Sequence, residues 1–486
     1  MSSPPPPPRL RRRPWWLGPA FVGLLLVPTA SVTVGLAVAV AIKMAFRLYR
    51  RVQQTRQAEP AVARASSGSG PVLLGLDEAG RAVELSKGQL AAHGLILGAT
   101  GAGKSTTLLT ILAAQIERGH GVVAIDLKSS PAFAAALRDA AAAAGRPFRC
   151  WSLDGPELWN PLAHGNATEL KDKLISTERF SEPHYQRAAE RYVQTALQVL
   201  QADLTGGPVT LARVVEALDP VRLAVAARRL PPDQAARVSD YVASLTPDQL
   251  SAVRGLGSRL AIISESHTGR YLNDDGSGSG IDLRSALSGD EVVLFSLNSS
   301  TYGHLSAQLG TLVVQDLVSA AGHRLSDGGQ TPAVVGIDEF SALASDNVMG
   351  LMARGREAGV SVLLATQELA DLDRSGRGVK DQVLGNTAVK IAHRQDVPRS
   401  AETVAQLAGT VREWERSYQV RHGRWGGEHL AQGSLRQVDR YVIEPDRVRT
   451  LQTGEAVVIV KTPSSRAQVT RVLGPSSRRE ERGLER

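Results

Sequence analysis

The sequence predicts an α/β fold with a mainly parallel sheet, an inserted all-α domain and an N-terminal transmembrane anchor. Eight short apolar runs alternate with helical patterns, which is typical of a parallel sheet covered by helices on both faces. Residues 163 to about 272 interrupt this alternation with helical periodicity alone. A run of 28 uncharged residues precedes both regions. The eight apolar runs are Gly94 to Leu97, Val122 to Ile125, Phe148 to Leu153, Val292 to Leu297, Val334 to Ile337, Val360 to Ala365, Val389 to Ala392 and Ala456 to Val460.

The first element in the chain is the uncharged segment from Trp15 to Ile42, which is rich in Leu, Val and Ala. One helical span needs about 20 apolar residues, so this segment predicts a membrane anchor. A buried helix of a soluble domain is usually shorter and has a polar face. Arginines and lysines flank the segment on both sides, which favours two cytoplasmic ends. Its length falls short of the roughly 40 residues that two full spans require, so a single span and a hairpin both remain open.

The charge distribution agrees with an anchor. The chain has 486 residues, a formal net charge of +8 and a pI near 9.7, which are values typical of a nucleic-acid-binding protein. Residues 1–64 contain ten basic residues and one acidic residue, so they carry +9 and residues 65–486 carry −1. The basic pI is therefore a membrane-topology signal rather than a nucleic-acid footprint.

The composition excludes several classes of protein. Hydrophobic residues make up 43% of the chain and charged residues 21%, which excludes a mainly disordered protein. Cys150 is the only cysteine, so neither an intramolecular disulfide nor a four-cysteine zinc site can form, and a reducing compartment is favoured. Aromatic residues, at 4%, are too few for an extended base-stacking surface.

A phosphate-binding motif directly follows the first of the eight runs. Its glycines let the loop curl so that backbone N–H groups face the phosphates of a nucleotide at the positive N-terminus of the next helix. We expect Lys104 to neutralise the β- and γ-phosphate oxygens and Ser105 to ligate Mg²⁺, which predicts ATP and Mg²⁺ as cofactors. A chance glycine turn is the alternative. The residues that match the G-x-x-x-x-G-K-[ST] pattern are Gly98, Ala99, Thr100, Gly101, Ala102, Gly103, Lys104, Ser105 and Thr106.

A pair of acidic residues follows the run from Val334 to Ile337. This position places Asp338 at the carboxyl end of a strand beside the P-loop, where it can hold the metal through water. Glu339 can then polarise the attacking water. Such a pair is often only a solvated turn, but a P-loop in the same chain favours the functional interpretation. The spacing of 234 positions from Lys104 to Asp338 exceeds what a compact core needs, and the helical insertion accounts for the excess.

Two further polar positions are catalytic candidates. Gln367 follows the run that starts at Val360, where it can sense the γ-phosphate or orient water, and a helix cap or turn residue is the alternative. The segment from Arg354 to Gly359 precedes that run and contains two arginines. An arginine here is a candidate to project across a subunit boundary onto the neighbour's ATP, although most surface arginines are merely solvated.

These motifs resemble those of the coupling ATPases of conjugative type IV secretion systems, the TraG/TraD type of DNA-translocating P-loop protein. The resemblance covers about 400 residues, and the order and spacing of its elements are more specific than any one of them. It implies a RecA-like ATPase fold. The elements are Gly98 to Thr106, Asp126-Leu127-Lys128, Trp159-Asn160-Pro161-Leu162, Ser181-Glu182-Pro183-His184-Tyr185, Gly280-Ile281-Asp282-Leu283, Asp338-Glu339-Phe340, Arg354 to Gly359, Ala365-Thr366-Gln367 and Gly454-Glu455-Ala456-Val457.

The resemblance implies a membrane-anchored ATPase whose subunits form a homo-hexameric ring at the inner (cytoplasmic) membrane, with the ATPase domain facing the cytoplasm. Its implied partners are relaxase-bound single-stranded DNA, relaxosome proteins that contact the all-α domain, and components of the secretion channel. Arg356 matches the arginine proposed as the finger of this family. The chain departs from the family pattern in two features. It has one apolar block where many relatives have two membrane helices, and a short stretch after Val472 where some have a long acidic extension.

The motifs and composition shifts together predict six divisions of the chain. The two segments of the ATPase domain flank the insertion, and a small, flexible linker separates them from the anchor. The divisions are a basic transmembrane anchor at 1–51, a linker at 52–71, the first ATPase segment at 72–162, the inserted all-α domain at 163–275, the second ATPase segment at 276–475 and a disordered tail at 476–486.

Three other functions remain open. An FtsK-like double-stranded DNA translocase usually ends in a winged-helix module, and only 11 residues follow Pro475 here. A secretion ATPase that moves proteins alone is the second alternative. The third is a non-hydrolysing membrane adaptor with ATP as a structural ligand, which predicts tight binding without turnover. A cleaved export signal is rejected, because it would carry the ATP site away from ATP.

Overall fold

The computed structural model describes residues 70–475 except 179, 181, 204, 274–278, 329–330, 344, 377 and 424–425. At 345, 375, 418–423 and 426–433 it describes the backbone only. The predicted membrane anchor, the predicted linker up to residue 69 and the predicted tail from residue 476 lie outside the described residues. Among the helices that the structure describes, none is both long enough and apolar enough to cross a membrane.

Thirteen β-strands lie in the described region of the chain, eleven in one sheet and two in a separate hairpin. In chain order they are β1 (Val72–Asp77), β2 (Ala82–Leu85), β3 (Gly94–Leu97), β4 (Gly121–Asp126), β5 (Phe148–Ser152), β6 (Val292–Ser296), β7 (Ala333–Asp338), β8 (Val360–Thr366), β9 (Val389–Ala392), β10 (Thr410–Gly423), β11 (Gly426–Tyr441), β12 (Glu455–Val460) and β13 (Arg466–Val472). The sheet order is β2-β1-β13-β12-β9-β3-β8-β7-β4-β6-β5, and the seven strands from β9 to β5 are parallel. The predicted α/β fold with a mainly parallel sheet is therefore confirmed.

The eight apolar runs coincide with β3 to β9 and with β12. Every residue of β4, β7 and β8 is buried, as expected for strands that helices cover on both faces. The register pairs Leu97 with Thr366 and Asp126 with Asp338, so the ends of four parallel strands meet at one edge of the sheet. β8 lies between β3 and β7. The strand that carries Asp338 is thus separated by one strand from the strand that leads into the P-loop.

Sixteen α-helices accompany these strands in the described residues. In chain order they are α1 (Lys87–Ala91), α2 (Lys104–Glu117), α3 (Pro131–Ala143), α4 (Ala167–Ile175), α5 (Pro183–Ala202), α6 (Leu211–Ala217), α7 (Pro220–Ala227), α8 (Pro232–Ala243), α9 (Pro247–Ser264), α10 (Leu283–Ser288), α11 (Gly303–Ser326), α12 (Ser345–Gly355), α13 (Leu369–Ser375), α14 (Val379–Asn386), α15 (Pro398–Ala408) and α16 (Pro445–Arg449). Helices α4 to α9 lie between β5 and β6, in the region predicted as an inserted all-α domain. The predicted boundaries of that domain stay predictions.

Local sequence explains where the helices of this region begin. Asn166, Thr210, Asp219 and Thr246 precede α4, α6, α7 and α9, and each side chain accepts a hydrogen bond from the first turn of its helix. Helices α5, α7, α8 and α9 start with proline, whose fixed φ suits the first helical position. These helices are therefore specified by their own sequence.

Aromatic residues and a buried ion pair join the helical region to the sheet. Trp159 packs edge-on against Trp151 and Phe295, with ring centroids 5.8 Å and 5.0 Å apart. The indole Nε1 of Trp159 donates to Asp316 Oδ2 on α11 at 3.1 Å. Lys173 Nζ on α4 donates to the other oxygen of the same carboxylate at 2.7 Å. The carboxylate of Asp316 on α11 thus contacts both Trp159, which precedes the helical region, and α4, the first helix of that region.

The hairpin of β10 and β11 pairs only within itself among the described strands. Its register runs from Thr410 paired with Tyr441 to Gly423 paired with Gly426. The N–H of Val442 donates to the carbonyl oxygen of Gly409 at 2.9 Å, which closes the base of the hairpin. Most of its described side chains are exposed, so the hairpin stands apart from the core.

Candidate nucleotide-binding site

The P-loop joins β3 to α2, and two of its glycines are required sterically. Gly103 has a φ of 119°, in the left-handed region that favours glycine. A Cβ atom on Gly103 would lie 3.1 Å from His393 Cε1 and 3.4 Å from Gly454 Cα. A Cβ atom on Gly98 would lie 2.6 Å from His393 Cβ. The loop packs so closely on the carboxyl end of β9 that larger residues do not fit at these two positions.

His393, which directly follows β9, packs against the P-loop. It was not predicted as a site residue. Its Nδ1 lies 2.9 Å from the carbonyl oxygen of Glu455, and its Nε2 lies 2.8 Å from Thr107 Oγ1. Burial lowers the pKa of His393 to about 4, so the ring is neutral at pH 7. Because a carbonyl only accepts, Nδ1 carries the proton and Nε2 accepts from the threonine hydroxyl. The neighbouring residue also contributes, since the N–H of Ala99 donates to the carbonyl of Arg394 at 3.0 Å.

Lys104 lies almost fully buried at the start of α2, with 5% of its surface exposed. Its Nζ donates to the carbonyl oxygens of Gly98 at 2.6 Å and Ala99 at 3.4 Å. Burial lowers the pKa of Lys104, and the charge of Lys128 lowers it further, while nearby carboxylates such as Glu339 oppose both effects. Carbonyl oxygens of the loop thus hold the ammonium group at the P-loop.

Ser105 and Asp338 form a pair of oxygen ligands suited to Mg²⁺. Ser105 Oγ donates to Asp338 Oδ2 at 2.8 Å, so β7 reaches the P-loop despite the intervening strand. The other carboxylate oxygen, Asp338 Oδ1, is buried and has no hydrogen-bond partner among the described residues. Burial of an unsatisfied carboxylate oxygen is costly unless a cation or water meets it. Because Mg²⁺ prefers oxygen ligands such as these, the two residues fit the predicted metal.

Glu339 is the centre of three linked polar contacts. Its Oε2 lies 2.7 Å from Lys128 Nζ and accepts from Gln367 Nε2 at 3.2 Å. The amide oxygen of Gln367 accepts in turn from Thr100 Oγ1 at 3.1 Å, which links the P-loop to Glu339. The backbone of Glu339 has a φ of 60°, a left-handed conformation that is strained for a non-glycine residue and is concentrated at functional sites.

Asp126 and Lys128 complete this edge of the site, and neither was predicted as a site residue. Asp126 is 1% exposed and accepts from the N–H groups of Lys128 at 2.9 Å and Ser130 at 2.6 Å. Burial raises the pKa of Asp126. Burial alone would lower the pKa of Lys128, but its hydrogen bond to Glu339 and the charge of Asp338 outweigh that effect and raise it. Asp126 thus orders the turn from Lys128 to Ser130, which places Lys128 beside Glu339.

Arg356 lies away from the other predicted site residues of the same chain. It is exposed and follows α12, just before the first residue of β8. β8 runs from there to Thr366 beside the P-loop, a span of about 20 Å at roughly 3.3 Å per residue. The structure therefore brings Lys104, Ser105, Asp338, Glu339 and Gln367 together at one sheet edge and places Arg356 at the opposite edge.

Comparisons with known proteins match two regions of the chain. The family model described as the TraM recognition site of TraD and TraG matches residues 332–453, which include the strand that ends in Asp338 and the hairpin. The model of the FtsK/SpoIIIE family matches residues 55–120, which include the P-loop. No curated protein sequence matches the chain.

Several solved structures share the fold. The bacterial conjugative coupling protein TrwBΔN70, in an unbound monoclinic form, is 13% identical with a TM-score of 0.59, over 85% of this chain and 91% of that one. The plasmid coupling protein TrwB in complex with ADP and Mg²⁺ is 14% identical, with a TM-score of 0.57, over 80% and 87%. VirB4 of Thermoanaerobacter pseudethanolicus is 14% identical, with a TM-score of 0.54, over 84% and 98%. Together with the TraD and TraG match, these findings confirm the predicted resemblance to the conjugative coupling proteins.

Proposed function

We propose that this protein is a membrane-anchored ATPase that couples ATP hydrolysis to the transfer of relaxase-bound single-stranded DNA into a conjugative type IV secretion channel. The observation that carries the ATPase assignment is the hydrogen-bonded set of Ser105 with Asp338 and of Thr100, Gln367 and Glu339 around one P-loop. A glycine turn without a nucleotide would not need a buried acid with an unsatisfied oxygen beside it.

Each residue of this set has a distinct role in hydrolysis. The backbone N–H groups of residues 98–106 bind the phosphates, and Lys104 exchanges its carbonyl partners for phosphate oxygens. Ser105 and Asp338 would hold Mg²⁺, which would neutralise phosphate charge when bound. Glu339 accepts the proton of the attacking water. Gln367 contacts both the P-loop and this base. A change at the γ-phosphate that moves Gln367 would therefore also move Glu339.

The coupling role rests on the match of residues 332–453 to the TraD and TraG family model. On this basis we assign DNA, relaxosome proteins and components of the secretion channel as partners, and a homo-hexameric ring as the assembly. The apolar segment from Trp15 to Ile42 anchors the ring in the inner (cytoplasmic) membrane, and the ATPase domain faces the cytoplasm. Arg356 acts as a finger on the neighbouring subunit's ATP, since it lies too far from its own P-loop.

The match of residues 55–120 to the FtsK/SpoIIIE family model favours one second candidate, a double-stranded DNA translocase. The two functions share the hydrolysis chemistry and differ in the nucleic acid that stimulates it. Stimulation by duplex DNA alone would support this second candidate, whereas stimulation by single strands supports the coupling function.

The decisive measurement is ATP turnover by the full-length chain, purified in detergent, with and without single- or double-stranded DNA. We expect DNA-stimulated turnover in the native chain. Lys104→Ala should lose turnover by about a hundredfold or more, because it removes the ammonium group that binds the phosphate oxygens. Glu339→Gln should retain nucleotide binding and lose turnover by about 10²- to 10⁴-fold, because it removes the base. Absence of turnover in a folded, multimeric native chain would show that the enzyme assignment is wrong.

A further inference from the structure

A cavity of about 570 Å³ lies at the sheet edge opposite the P-loop. Most of its lining residues precede β3, β8 or β9, begin β9 or follow β12, and they include Arg356, Lys390 and Lys461. Because β12 is antiparallel to β9, the end of β12 and the beginning of β9 share this edge. The cavity thus brings three cations from distant regions of the sequence to the surface on which Arg356 lies. We refer to it as the cationic cavity.

The cationic cavity contains no counter-charge of its own, since no carboxylate occurs among the described residues that line it. Lys390 is 3% exposed, and its Nζ donates to the carbonyl oxygen of Thr387. Lys461 Nζ donates to the carbonyl oxygen of Leu407 at 2.7 Å. Burial, together with the positive charge of Lys461, lowers the pKa of Lys390 to about 8. Cations clustered in this way are stabilised when an anion enters.

The nucleotide site has the opposite imbalance of charge. Asp126, Asp338 and Glu339 all lie at the carboxyl edge of the sheet. The two lysines of the site do not outweigh these three acids, because Lys128 is paired with Glu339 and Lys104 is the P-loop cation. Magnesium-bound ATP is itself an anion. A P-loop of this composition therefore gains from positive charge supplied by another molecule.

We propose that the cationic cavity of one subunit receives the phosphates of ATP bound to a second copy of the chain, and that Lys390 and Lys461 contact them together with Arg356. This inference rests on the proposed function, because it requires ATP-bound subunits in a ring. The cavity and the P-loop lie at opposite edges of one sheet, so a head-to-tail contact between copies brings one against the other. A head-to-tail contact whose rotation closes generates a ring, which is the assembly in the proposed function.

The first test removes each charge in the full-length chain by Lys390→Met or Lys461→Met. Methionine retains an apolar stem of similar length, so thermal unfolding should show a folded protein. We expect ATP turnover to fall about tenfold or more, while the affinity of each subunit for ATP changes by less than about twofold, because its own P-loop is intact. The matched control is Lys87→Met, since Lys87 is an exposed lysine on α1 outside the cationic cavity and should leave turnover unchanged.

The second test distinguishes action across the interface from a structural role. Lys390→Met subunits, which keep an intact P-loop, are co-expressed in equal amounts with Lys104→Ala subunits, which keep an intact cationic cavity. An interface is complete only where the P-loop comes from a Lys390→Met subunit and the cationic cavity from a Lys104→Ala subunit. Random mixing produces this combination at about one quarter of the head-to-tail interfaces, so turnover should rise to about a quarter of the native value. Neither variant alone should approach that level.

The outcomes separate the inference from the function on which it rests. Absence of turnover by the native chain overturns both. Normal turnover by Lys390→Met and Lys461→Met, as expected if the cationic cavity holds an acidic segment of another protein, overturns the inference alone. Mixtures that never exceed the mean of their two components also overturn it, because a lysine that acts only within its own subunit cannot be complemented.

Discussion

A single side chain, Gln367, connects the phosphate loop to the base that we assign to water activation. It accepts from Thr100 on the loop and donates to Glu339, so a displacement of either partner alters the hydrogen bond to the other. The same carboxylate is paired with Lys128. The three contacts therefore hold the carboxylate of Glu339 in one orientation before water attacks the γ-phosphate.

His393 makes folding stability depend on pH. Its pKa is lowered to about 4 in the folded chain from the ordinary value of 6.5, so the unfolded chain binds a proton that the folded chain does not. The stabilisation is fully present above pH 6.5 and is lost as pH falls toward 4, by about 3 kcal/mol in total. Urea unfolding at pH 7 and pH 5 should therefore show a smaller loss of unfolding free energy in His393→Gln than in the native chain.

The control for this pH effect is His184→Gln, because His184 is an exposed histidine on α5. This variant should keep the native pH dependence. Equal pH dependence in the native chain and His393→Gln would contradict the assignment of a buried, neutral ring under the P-loop.

At the residue scale, sequence predicted the positions that local chemistry specifies. Gly98 and Gly103 are recognisable because a P-loop needs glycine wherever neighbouring atoms leave no room for a Cβ. His393 could not be found in this way, because its partner Thr107 is 286 positions away and no pattern in the sequence joins them. A polar residue directly after the apolar β9 was the one available signal, and it is shared by many turns.

The buried carboxylate of Asp316 is the contact through which α4 and α11 depend on each other. Asp316→Ala would leave the ammonium of Lys173 buried without its ion-pair partner and would also remove the acceptor for Trp159. We expect a loss of about 3–5 kcal/mol in unfolding free energy, measured by urea unfolding and circular dichroism. The double variant Lys173→Met with Asp316→Leu should recover most of this loss, because it removes the unpaired charge.

The matched control is Asp172→Ala on the same helix as Lys173. Asp172 is largely exposed and pairs with Lys171 at 2.5 Å, so its loss should change stability by less than about 1 kcal/mol. A loss of similar size in Asp316→Ala would mean that the helical region does not depend on this ion pair.

At the element scale, fully buried strands were easier to predict from the sequence than partly exposed ones. The runs that became β4, β7 and β8 are buried at every position, so their apolar sequence is unmistakable. β13 has buried residues at only two of its seven positions, and its mixed sequence carries no such signal. The hairpin of β10 and β11 contains as many charged as apolar residues, with cross-strand pairs such as Arg436 with Glu415. Its pairing depends on cross-strand contacts that neither strand shows alone.

At the scale of the whole molecule, charge is divided between two regions with different tasks. Residues 1–64 carry +9 and the remainder carries −1, so the chain has little bulk attraction for DNA outside its N-terminal region. Local groups must then provide contacts with anions, and the cationic cavity shows how positive charge is concentrated in a nearly neutral body. Under the proposed function, its position opposite the P-loop makes each subunit incomplete without a neighbour.

The proposed orientation of the chain in the membrane can be tested with its single cysteine removed. In a Cys150→Ser background, Ser326→Cys places a thiol at an exposed position at the end of α11. If arginines and lysines on both flanks keep the ATPase domain in the cytoplasm, a membrane-impermeant maleimide should label Ser326→Cys only after cells are permeabilised. Labelling in intact cells would contradict the cytoplasmic placement. In the same background, Ser3→Cys distinguishes the two arrangements of the anchor. A single span would place this thiol outside the cytoplasm, so the maleimide would label it in intact cells. A hairpin would place it in the cytoplasm, so it would be labelled only after permeabilisation.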